Sequence, residues 1–130
     1  MMAQTNGALT PFEAVRGTPT TAGAWTLRSL PTGTEANFAG RFALRCDRAT
    51  ARVIMQRLDL PAGASGPMVV STDGMTRGFV GTTVALSARD PLFDAIAFSR
   101  GRFVVTGTGV APLIIPAWPE AARSIEDCRN

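Results

Sequence analysis

Between Trp25 and Val105 the apolar residues recur at every second position, in short runs cut by Gly, Pro and Asp turns. A period of two sends successive side chains to opposite faces, so such a chain must build sheets with one covered face. WTLRSL alternates and PTG turns; NFAGRFALRC alternates after Gly40, with Phe42, Leu44 and Cys46 on one face and Arg41, Arg45 and Asp47 on the other. DRAT reads as the turn into ARVIMQRLDL, and PAGASG as a loop. PMVVSTDGMTRGFVG reads as a hairpin around Asp73-Gly74, with TTVALSA as the next strand. RFVVTG and VAPLIIP make a last hairpin over TGTG, and Pro112 marks its second strand as an edge. The expected fold is mainly β (α+β): an antiparallel β-sandwich or a strongly bent sheet.

Helical signals punctuate this pattern. RDPLFDAIAFSRG predicts a short helix over about 91–100. Asp90 caps it, Pro91 opens it, Asp94 and Arg100 complement its dipole, and Gly101 ends it. Leu92, Phe93, Ala95, Ile96, Ala97 and Phe98 leave almost no polar face, so this helix is expected to be largely buried. A C-terminal helix is predicted over about 119–128, with Trp118, Ala121, Ala122, Ile125 and Cys128 on one stripe. TPFEAVRG carries a third signal over 11–16: Thr10 as cap, Pro11 first, Glu13 completing a capping box and Gly17 as the stop. Residues 1–22 are otherwise expected to be a flexible segment, with TPTTAG as linker, and 23–130 a single globular β-rich domain.

The chain has two cysteines, Cys46 and Cys128, and both are expected to face the core. One disulfide pinning the terminal helix to the sheet is the economical reading; two buried free thiols are the alternative. Chain ends fray, so a helix close to one gains most from being stapled. A bridge points to an oxidising compartment, periplasmic or secreted. MMAQTNGAL has no apolar h-region, and Ala3-Gln4 reads as a mature N-terminus left by export processing. No run approaches the roughly 20 apolar residues of a spanning helix.

Absences narrow the chemistry. The sequence holds no Lys, His or Tyr, and all thirteen cationic side chains are Arg. Ser-His-Asp and Cys-His sites, His-ligated metals, Schiff bases and tyrosine acids are therefore excluded, and two cysteines cannot close a zinc site. No cofactor or metal is expected. Net charge is +3 at a high pI, but ten acids interleave the arginines and no aromatic-interleaved basic stripe appears, so nucleic acid is not an expected partner.

Five arginines, Arg41, Arg45, Arg48, Arg52 and Arg57, form the candidate anion-binding set, since guanidinium forks bind carboxylate and phosphate in bidentate fashion. An ordinary solvated strand face with Asp47 and Asp59 as partners is the competing reading. Ser99-Arg100-Gly101-Arg102 follows a helix C-terminus, the wrong dipole end for an anion, and reads as a cap. Asp90 and Asp94 lie one turn apart like a catalytic carboxylate pair, yet capping and dipole roles already explain both. TGTG and TDGM are turn glycines, and Trp25 and Trp118 read as core anchors.

The second half runs as hairpins, a capped apolar helix ending in Gly, RFVV, a short strand, and a terminal helix carrying EDCR. In outline, over residues 25–130, this resembles small exported alphaproteobacterial proteins of the invasion-associated locus B type. That resemblance implies a non-enzymatic β-sandwich with helices near the C-terminus and an envelope or secreted role. The family's additional cysteines are absent, and no functional motif transfers residue by residue. The leading expectation is thus an exported, non-catalytic β-sandwich that binds a protein or cell-envelope component. The alternatives are an anion or glycan-acid module built on the five arginines, and a carboxylate-based glycan-active enzyme. The enzyme reading requires a deep cleft at Asp90, Asp94 or Glu120 with a raised carboxylate pKa.

Overall fold

The structure is a computed structural model that describes residues 8–64 and 66–129. Nine antiparallel strands in two sheets and three short helices make up the described residues. Sheet A holds β1 (Trp25–Leu30), β2 (Gly33–Phe38), β3 (Phe42–Asp47), β4 (Arg52–Arg57) and β7 (Thr83–Ser87), adjacent in that order. Sheet B holds β6 (Thr76–Val80), β5 (Pro67–Ser71), β8 (Arg102–Gly107) and β9 (Val110–Pro116) in that order. β9 lies at an edge, as Pro112 predicts. The helices are α1 (Pro11–Ala14), α2 (Pro91–Ala97) and α3 (Pro119–Asp127).

The sheets face each other through the alternate residues the period selects. Phe42, Leu44 and Cys46 of β3 and Val53 and Met55 of β4 are fully buried, as are Phe103 and Val105 of β8 and Ile115 of β9. Aromatic rings span the gap. Trp25 lies 5.7 Å from Phe38 and 6.5 Å from Phe103, and Phe42 lies 5.9 Å from Phe103, centroid to centroid. Such pairs add roughly 0.5–1.5 kcal/mol each beyond area burial. The indole N–H of Trp25 donates to the Pro116 carbonyl at 2.7 Å, so the ring is buried with its polar atom satisfied.

Three sequence expectations change. The PTG turn is shorter than read: β2 begins at Gly33, and the next turn falls at Ala39-Gly40. β2 carries no period-two signal because Glu35 and Ala36, side by side, are both buried. Gly33 is obligatory there, since a Cβ on it would stand 2.4 Å from the Cys46 carbonyl oxygen. The second change concerns α2, which ends at Ala97 rather than near 100 and buries only one face, Leu92, Phe93 and Ile96. Phe98 falls beyond the last turn and is 80% exposed. Third, Trp118 caps α3 from outside the core and is 44% exposed, whereas Ser124 takes a buried place on the helix. Ser124 is accommodated because its hydroxyl donates to the Leu44 carbonyl at 2.8 Å, with the Thr34 carbonyl at 3.2 Å.

The segment before β1 packs on the outer face of sheet B. The capping box of α1 is formed, the Phe12 N–H donates to the Ser71 hydroxyl at 3.0 Å, and Thr21 exchanges two bonds with Ile114 of β9. Folded structure therefore extends upstream of Gly23, and Thr21 covers part of the β9 edge.

Ala39 and Ala51 adopt left-handed backbone at φ 55° and 53°. An L residue strains there, so Ala51→Gly is expected to stabilise the fold by about 1 kcal/mol, read as a rise in the urea midpoint at unchanged m.

Candidate functional site

Cys46 ends the inner row of β3 and Cys128 caps α3, and their sulfurs are bonded with α-carbons 5.4 Å apart. Both are buried, at 0% and 3% exposure. α3 lies across the inner face of sheet A beside α2 and is held at its C-terminal end a second time by Asp127. That carboxylate accepts from the Thr34 N–H at 3.0 Å and hydroxyl at 2.7 Å, and pairs with Arg48. The Arg48 guanidinium, then the Thr34 hydroxyl, hold the Asp127 carboxyl below the usual range. A depressed folded pKa adds stability that is present above the unfolded value and lost as pH falls through the folded one. The clamp should therefore begin to weaken as pH falls past the ordinary aspartate value of about 3.9 and be lost through the lower folded one. Asp127→Asn is expected to cost about 1–2 kcal/mol at neutral pH and to flatten the stability–pH curve below it, measured by urea melts across the acid range.

The five candidate arginines do not converge. Arg45 and Arg52 stand on the outer face of sheet A, Arg45 at 4.0 Å from Glu35 and Arg52 exposed. Arg41 and Arg48 sit beside turns and pair with Asp59 and Asp127. Arg57 departs furthest from the solvated-face reading. It shares the inner face with Val53 and Met55, its side chain is 3% exposed, and it bonds Asp59 and two carbonyls of sheet B. Asp47 serves its own turn, accepting from the Ala49 N–H.

The acids of the enzyme reading are committed elsewhere. Asp90 caps α2 through the Leu92 N–H at 2.9 Å and pairs with Arg77. Burial alone would raise its pKa, but the Leu92 N–H and the Arg77 guanidinium outweigh it and hold it below the usual carboxylate value. That direction is opposite to what a general acid needs. Asp94 pairs with Arg129 at 2.8 Å, and Glu120 lies in the first turn of α3.

An open groove of about 550 Å³ lies elsewhere, where three segments meet. Phe12, Glu13, Arg16 and Gly17 form one wall, Asp73 of the β5–β6 turn a second, and Arg100 and Arg102 of the α2–β8 turn a third. Ser99 is buried and ties two walls together: it accepts from the Asp73 N–H at 3.2 Å and donates to the Arg102 carbonyl at 2.5 Å. Arg102 reaches the Thr18 carbonyl and so holds the α1 wall as well. Gly101, at φ 77°, turns the chain so that Arg100 projects outward, 92% exposed and no closer than 4.0 Å to Asp73. The backbone of SRGR stands at the wrong dipole end for an anion, but its two arginine side chains line the groove. A second groove of about 420 Å³ runs beside α3, with Arg28 and Arg123 set against Glu126 and Asp127. Its charges balance; those of the first groove do not. No helix among the described residues is long and apolar enough to cross a membrane. No family model, curated protein or solved structure matches this chain.

Proposed function

We propose that this chain is an exported, non-catalytic β-sandwich that binds a protein or a cell-envelope component. The Cys46–Cys128 bond carries the reading, because a buried structural disulfide persists in the periplasm or outside the cell and is rare in reducing cytosol. The resemblance in outline to exported proteins of the invasion-associated locus B type points the same way. Binding rather than catalysis agrees with the side chains: the histidine-free chain has its best-placed carboxylates in caps and ion pairs. The test is acid-quenched thiol alkylation of the chain in fractionated native cells. The reading expects both cysteines unlabelled before reduction and the chain in the envelope or medium; a labelled, cytosolic chain overturns it. A second reading, an anion-binding module, is favoured by one observation, the surplus of arginine in the larger groove.

A further inference from the structure

We infer that the groove between α1 and the α2–β8 turn binds a sugar carrying an oxyanion, either a carboxylate or a phosphate. The inference rests on the binding reading above and names the ligand class. Eight of the thirteen arginines approach a carboxylate within 4.0 Å among the described residues, most of them much closer. Arg16 and Arg102 do not, and Arg100 does so only at the 4.0 Å limit. Arg52, Arg89 and Arg123 likewise lack such a partner and Arg45 is also at the limit, but these four stand apart from the groove, whereas Arg16, Arg100 and Arg102 line one concavity. Guanidinium forks match the planar oxygens of a carboxylate and the oxygens of a phosphate, and several around one concavity can share a single anion.

The groove is also built before any ligand arrives. Its three walls are joined by the bonds Phe12 to Ser71, Asp73 to Ser99, Ser99 to Arg102, and Arg102 to Thr18. Preorganised walls reduce the ordering cost of binding. The two acids on the walls shape the choice of ligand. Glu13 is occupied, accepting the Thr10 N–H at 3.0 Å in its capping box. Asp73 is 34% exposed and faces Arg100 loosely, so its carboxylate repels a bare polyanion and accepts from neighbouring hydroxyls. An anionic group flanked by hydroxyl donors is the chemistry of an acidic sugar. Apart from Phe12 and Gly17 the lining side chains are charged, which also suits a sugar better than an apolar ligand.

The experiment is a two-dimensional NMR titration of the oxidised full chain, following backbone and arginine Nε signals, at constant ionic strength. The probes are glucuronate, glucose 6-phosphate, inorganic phosphate and glucose. Saturable shifts confined to the groove are expected from one or both acidic sugars below about 10 mM, weaker ones from inorganic phosphate, and none from glucose. Which acidic sugar binds more tightly identifies the oxyanion. Arg16→Ala combined with Arg100→Ala, both exposed positions, should weaken binding about tenfold or more, while Arg45→Ala with Arg52→Ala should leave it unchanged. No saturable shift, or equal loss in the two double variants, overturns the groove as a site. Inorganic phosphate binding as tightly as glucose 6-phosphate, or glucose as tightly as glucuronate, overturns the acidic sugar as ligand. Because thiol labelling is measured separately, failure here leaves the exported location standing, and failure there leaves the groove standing.

Discussion

Breaking the Cys46–Cys128 bond is expected to lower stability by about 4 kcal/mol, the chain-entropy value for closing so long a loop. The bonded residues are 82 positions apart, and the loop encloses all of sheet B, β4 and β7 of sheet A, and α2. A domain is held by roughly 5–15 kcal/mol, so the reduced chain should stay folded at room temperature but melt on the order of 15 °C lower. Loss should begin at α3. Without the bridge that helix keeps the Ser124 bonds and the Asp127 clamp, two anchors where it had three. Hydrogen exchange should therefore accelerate first in α3 and in its neighbour α2, before the aromatic centre around Phe103 opens. Access matters as well: with both sulfurs buried, a reductant reaches them only through opening, so native reduction should be slow and should speed up in mild urea. The measurement is a pair of urea melts of the Cys46→Ala, Cys128→Ala chain and the oxidised chain, which avoids incomplete reduction. Midpoints that coincide would show that the bridge constrains nothing the packing does not already hold.

Much of this architecture was legible because period two and turn chemistry agree. β3 through β9 lie where alternation and the Asp73-Gly74, Asp90-Pro91 and TGTG signals put them, and Cys46 and Cys128 meet because each ends an inward row. What failed did so where two partners bury one element from both sides. β2 lies between β1 and β3 under α3, so Glu35 is buried on the outer face, paired with Arg28 at 2.8 Å, while Ala36 is buried on the inner one. Phe98 and Trp118 differ for another reason: each stands outside a helix with backbone that has left the helical conformation, whereas Cys128 keeps it and so keeps its place on the stripe. The groove was invisible because its walls are far apart in sequence, near residues 12–17, 73 and 100–102. Local pattern cannot bring such residues together; the Ser99 and Arg102 bonds do.

Arg57 belongs to the inner row of β4 and not to a solvated face, and it carries the other large expectation. In RVIMQR, Val53, Met55 and Arg57 share a parity, so the alternation that buries the first two buries the third. The guanidinium then has to be paired, and it is: Nε donates to Asp59 at 2.8 Å, Nη2 to the Ala111 carbonyl at 2.6 Å, and Nη1 to the Val105 carbonyl at 3.4 Å. One side chain of sheet A thereby clasps β8 and β9 of sheet B at the end of the sandwich remote from α3. Removing Asp59 strands a charge whose side chain is 3% exposed, and breaking such a pair from one side costs about 3–5 kcal/mol. Asp59→Ala is therefore expected near that range. Arg57→Met, which removes the charge and fills the same space with apolar atoms, is expected to cost less than half as much, because desolvation of the ion disappears together with its bonds. Arg41 also touches Asp59, at 3.4 Å, but from a half-exposed position, so Arg41→Ala should cost under about 1 kcal/mol. The ordering of the three variants, measured by urea melts at neutral pH, separates a clasp from mere packing. If Arg57→Met proved as damaging as Asp59→Ala, the bonds to Val105 and Ala111, and not relief of a buried charge, would dominate the site.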